Sequence, residues 1–112
     1  MTPTEIEAAA PGDERRVLKW LANDLWCLNF RPDGTDAVVA WVARWSLFHR
    51  RLDAEAYLDA AMMLVQDDLD FEVRRKFARL FNRVGKRRDY EAWAATPALA
   101  LCAAIARGLG NE

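Results

Sequence analysis

Ser46 and His49 stand three positions apart, and a hydroxyl beside an imidazole is the smallest unit from which a nucleophile and its base could be built. They are the only serine and the only histidine in the chain, and no third residue is placed to orient the base. The pair therefore reads as incidental. Cys27 and Cys102 have no neighbouring Cys or His at ligand spacing, so a zinc site lacks its donors and free thiols of a reduced chain are expected. Asp67, Asp68, Asp70 and Glu72 lack the spaced ligands and the glycine of a calcium loop. Gly85-Lys86 has no upstream glycine at phosphate-loop spacing. The expectation is no catalytic residue, no metal, no cofactor and no enzyme.

What the chain does concentrate is positive charge. From Arg74 to Arg88 it carries eight Lys and Arg and no acid, against a formal net charge of -1, which leaves about -9 for the remainder. Read as a helix, this segment places Arg75, Arg79, Arg83 and Lys86 on the flank away from its apolar residues, with Arg74 and Arg87 nearer the edges and Arg88 following. Such a ridge suits an acidic protein surface. Phosphate neutralisation by the same cations is the alternative, though Asn82 is the one residue of the base-reading kind beside them. Trp41 and Trp45, one turn apart, are the candidate apolar rim for a partner or for self-association. The candidate partner-binding residues are thus Arg74, Arg75, Arg79, Arg83, Lys86, Arg87, Arg88, Trp41 and Trp45.

The elements that must position these residues read as helices. Thr2, Pro3 and Glu5 form a capping-box arrangement, but the run ends at Pro11-Gly12 and reads as an arm over 1–12. Asp13 caps a helix reaching about Phe30, with Val17, Leu18, Leu21, Leu25 and Leu28 at helical spacing. After the Arg31-Pro32-Asp33-Gly34 turn, Thr35 or Asp36 caps a second helix to about Arg51, whose stripe is Val38, Trp41, Val42, Trp45 and Phe48. A third starts at Asp53 and carries Tyr57, Leu58, Ala61, Leu64 and Val65 on one side. A fourth is expected from Asp68 to Gly85 through Leu69, Val73, Phe77, Leu80, Phe81 and Val84. Thr96 and Pro97 open the last, ALALCAAIARGLG, as a core helix or an association surface.

The fold class expected is therefore all-α, a bundle of four main helices with 13–112 as one domain; the alternative is α+β, with a hairpin in 69–95 in which Leu69, Phe71, Val73 and Phe77 alternate and Gly85-Lys86 turns toward Tyr90–Trp93. At 112 residues with 53% hydrophobic and 29% charged residues the chain has the balance of one packed domain. Some thirteen apolar residues at the end fall short of the ~20 that cross a bilayer, so no membrane is expected. No apolar export segment opens the chain, and a cytoplasmic location is expected.

LDAAMMLV from Leu58 to Val65 and AATPALALCAAIARGL from Ala94 to Leu109 resemble short uncharacterised proteins encoded in bacteriophages and prophages. The likeness covers about 24 of the 112 residues, and Gln66-Asp67-Asp68 stands where such proteins tend to carry a Pro-Glu-Gly-Trp turn. The resemblance implies a phage-type context, in which small proteins act by binding and blocking host machinery, and a small sheet in the middle region. It brings no functional residues. The function expected is a non-enzymatic binding module occluding an acidic protein surface; nucleic-acid binding, and a homo-oligomer built on the closing helix, are the alternatives.

Overall fold

The computed structural model describes residues 1–27, 33–66, 69–82 and 89–110, the side chain of Asn82 excepted. In chain order these form α1 (Pro3–Glu7), a 3-10 turn (Pro11–Asp13), α2 (Glu14–Trp26), α3 (Thr35–Asp53), α4 (Tyr57–Met62), β1 (Leu69–Val73), β2 (Phe77–Asn82), β3 (Tyr90–Trp93) and α5 (Pro97–Gly108). The strands make an antiparallel sheet in the order β1-β2-β3. The chain is α+β, and the all-α bundle is overturned by this sheet.

The fourth helix fails for a reason visible in its spacing. Leu69, Val73 and Phe77 are four apart, which is about one helical turn and also two periods of a strand, so that rhythm cannot tell the two apart. What decides is the face each side needs to cover. Leu69, Phe71 and Val73 line up with Ala78 and Leu80 of β2, then Tyr90 and Ala92 of β3, as one apolar surface against the core. Phe77 falls on the opposite face from Val73, because Val73 pairs with Ala78 across the turn.

That sheet surface packs on α5, which lies between β2 and β3 on one side and α1, α2 and α4 on the other. Thr96 accepts a hydrogen bond from Leu99 N–H at 3.2 Å and Pro97 occupies the first turn, as the sequence indicates. Every residue from Ala98 to Ala106 is buried. Its alanines let neighbours approach closely, while Leu99, Leu101 and Ile105 supply the bulk. Gly108 continues this fit, since a Cβ there would meet the Tyr90 ring at 3.4 Å. From Ala98 to Ala106 the closing helix is thus packed within its own chain's core.

Other boundaries shift for local reasons. The expected arm is packed: Thr2 and Glu5 form the capping box of α1, and Ile6 is fully buried against α5. Val17, Leu18 and Leu21 are buried on α2 as their spacing indicates, whereas Leu28 and Phe30 lie outside the described residues. α3 is capped by Gly34, not by Thr35 or Asp36; its φ of +92° is a conformation that glycine adopts without strain. The third helix is shorter than expected and buries Ala60 and Ala61.

Candidate functional site: a cationic and aromatic hairpin tip

The β1–β2 connection is a two-residue turn. Arg74 N–H donates to the carbonyl of Phe77 at 2.8 Å, leaving only Arg75 and Lys76 outside the ladder. The carbonyl of Lys76 accepts from Ala94 N–H at 3.0 Å, so the turn is held from β3 as well. Arg74, Arg75 and Lys76 are all exposed on this braced tip. Of the cations expected on or beside a helical ridge, Arg74 and Arg75 are therefore presented by a hairpin, together with Lys76, which the sequence reading did not include. Arg79 sits in the middle of β2, and Arg83, Lys86, Arg87 and Arg88 lie outside the described residues.

The three described candidate cations, Arg74, Arg75 and Arg79, divide into two kinds, and Lys76 joins one of them. Glu72 receives two of them: its Oε1 lies 2.9 Å from Arg74 and its Oε2 lies 3.1 Å from Arg79. Asp89 stands 3.8 Å from Arg79, whose guanidinium also covers the Phe81 ring at 4.9 Å. Arg79 is thus engaged by its own sheet. Arg75, like its neighbour Lys76, has no ion pair among the described residues. These two cations are open to a ligand.

The sequence reading missed the aromatic floor beside them. Phe77 and Trp93 are a cross-strand pair on the outer face, with ring centroids 4.7 Å apart and planes tilted by 48°. Trp93 is 64% exposed. Together with Arg74, Arg75 and Lys76 they line an open recess of ≈ 630 Å³. Alternation marks Trp93 as an outward position of a strand only once the strand itself is recognised.

Trp93 is fixed from behind. Its backbone N–H donates to Oε2 of Glu7 at 2.9 Å, and Oε1 of Glu7 accepts from Arg107. Arg107 also donates to the carbonyl of Glu91 at 2.8 Å. The Arg107 hydrogen bond holds the Glu7 carboxyl below its ordinary value, against the opposing effect of burial, and the Trp93 N–H adds to the lowering. One clamp joins α1, α5 and the outer edge of β3.

Trp41 and Trp45 take a different place. Trp41 Nε1 donates to the carbonyl of Trp26 at 2.8 Å, and Trp45 meets Trp26 edge to face at 5.2 Å and Phe48 at 5.8 Å. Both are half-buried in an aromatic cluster that fastens α3 to α2. The apolar partners of the cationic tip are Phe77 and Trp93 instead. His49 stacks on Trp45 at 5.5 Å and makes no hydrogen bond with Ser46. Among the described residues no group of three His, Cys, Asp or Glu side chains could hold a metal, and no helix is long and apolar enough to cross a membrane. No protein-family model matches the chain, and neither a curated protein nor a solved structure matches it.

Proposed function

We propose that the chain is a non-enzymatic binding module whose hairpin tip engages an acidic, partly apolar segment of a partner protein and so occludes it. The reading rests on one observation: exposed Trp93 and half-buried Phe77 form a floor beside Arg75 and Lys76, neither of which has an ion pair among the described residues. Tryptophan and arginine are the residues that most often dominate binding energy at interfaces, the ring by desolvation and the cation by complementary charge. An apolar side chain of the partner would cover Trp93 while its carboxylates meet the turn.

Nucleic acid is disfavoured by the same face. Asp70, Glu72 and Glu91 share the outer side of the sheet with the aromatic rings, so a phosphate backbone running along the strands would meet carboxylates. The unpaired Cys27 and Cys102 support a reducing compartment such as the cytoplasm, and the two short motifs support a phage-type accessory or inhibitor role.

Fluorescence anisotropy with two labelled probes tests the proposal: a twelve-residue peptide of glutamate interspersed with leucine and tyrosine, and a twelve-nucleotide oligothymidylate. The peptide is expected to bind, and Trp93→Ala or Arg75→Glu/Lys76→Glu is expected to weaken it about 30-fold, the scale of an interface hot spot. Tighter binding of the oligonucleotide, with a steep loss between ~50 and ~200 mM salt, would transfer the site to nucleic acid. Peptide affinity indifferent to both variants would remove the tip as the contact.

A further inference from the structure

α3 leaves the core for much of its length. Its buried residues, Phe48 and Leu52, are near its C-terminal end, while Val38, Val39 and Val42 are 40%, 62% and 50% exposed. At ~100° per residue, Val38, Val42, Ser46, Val39 and Ala43 fall within one arc of roughly 140°, turned away from the side that carries Trp41, Phe48 and Leu52. Single exposed valines are ordinary. Three on one helical face, with small residues beside them, make a surface suited to another helix.

The charges bordering this arc indicate which helix. Asp36 and Arg50 lie on the same flank, 14 positions apart by their numbering, which is within ~40° of whole turns. Neither has a partner in its own chain among the described residues. The residue midway between them is Ala43, small enough for close approach. A two-fold axis through Ala43 lays a second α3 antiparallel on the first, and in such a pair residues of one flank face the same flank of the other copy. Asp36 of each copy then meets Arg50 of the other, twice. The helix dipoles also oppose, which is their favourable arrangement.

We infer that α3 is a self-association face, on which two copies of this chain pair antiparallel through Val38, Val39, Val42 and Ala43 with reciprocal Asp36–Arg50 ion pairs. This surface is separate from the hairpin tip. A 19-residue helix is about 28 Å long, and a single helix pair of that length falls below the ~1,000 Å² of a tight interface, so the dimer is weak and reversible.

Sedimentation velocity at about 10 and 500 µM tests the pairing on the full chain, the range in which a small interface associates. Wild type is expected to shift from monomer toward dimer. Val42→Glu, Asp36→Arg and Arg50→Asp are each expected to raise the dissociation constant at least about tenfold, because each places charge or like charges in the contact. The two single charge variants provide the decisive arm. Mixed in equal amounts they restore both ion pairs and are expected to dimerise again, which also shows that each is folded. A monomer at every concentration, a dimer insensitive to Val42→Glu, or a mixture no more associated than its components would overturn the inference.

Discussion

Replacing Arg107 by Met keeps the aliphatic stem and removes the guanidinium that joins Glu7 to the carbonyl of Glu91. Two acceptors lose a charge-assisted donor, each bond of that kind contributing about 1.5–3 kcal/mol. The Arg107 and Glu7 side chains are 25% and 22% exposed, so water can replace part of what is lost, and a net cost of about 2 kcal/mol is expected. For a domain of this size that is a fall in Tm of ~8 °C. The penalty is also tied to pH. Glu7 has its folded pKa lowered chiefly by Arg107, so the stabilisation is full above the ordinary glutamate value of 4.5 and is lost as pH falls through the lowered folded value. Urea unfolding of wild type, Arg107→Met, Glu7→Gln and the double variant is therefore expected to show a coupling of at least ~1 kcal/mol at neutral pH, shrinking as pH falls below 4.5 and through the lowered Glu7 value. Additive single effects, or an Arg107→Met penalty that persists unchanged in acid, would refute the clamp.

Thiol labelling with an aromatic disulfide should modify about one cysteine per native chain. Cys27 is partly exposed, whereas burial, reinforced by the nearby Glu14 charge, pushes the Cys102 thiol far above its ordinary value; equal native reactivity of both would contradict this placement. Leu101→Ala, in the fully buried stretch of α5, is expected to cost about 2–5 kcal/mol by chemical denaturation. A cost under ~1 kcal/mol would mean that α5 is not the packing centre.

Local signals were the most legible part of the chain. Thr2 with Glu5, and Thr96 with Pro97, announce helix starts through hydrogen bonds that involve residues three apart, and both starts are where those residues put them. Val17, Leu18 and Leu21 announce a buried face in the same way. The sheet was harder to read because its evidence lies across strands. Arg79 between Glu72 and Glu91, or Phe77 opposite Trp93, become neighbours only through a register that no short window contains. The α3 stripe failed differently. Val38 and Val42 have helical spacing and are exposed, because periodicity shows that a face is apolar and not what covers it. The candidate site was accordingly half visible: Arg74 and Arg75 were identified as cations, but the hairpin that displays them and the aromatic floor beside them were not.

The Glu7–Arg107 contact bridges a sequence separation of 100, while β1 and β2 are joined by a turn of two residues. Closing a long loop costs more chain entropy than closing a short one, and contacts distant in sequence slow the search for the native state. The hairpin is thus expected to form early, with its apolar side waiting for α5 to arrive. During that interval Phe71, Val73 and Leu80 would face water as a bare strand surface, which makes sticking to other incomplete chains, more than loss of native stability, the hazard in producing this protein.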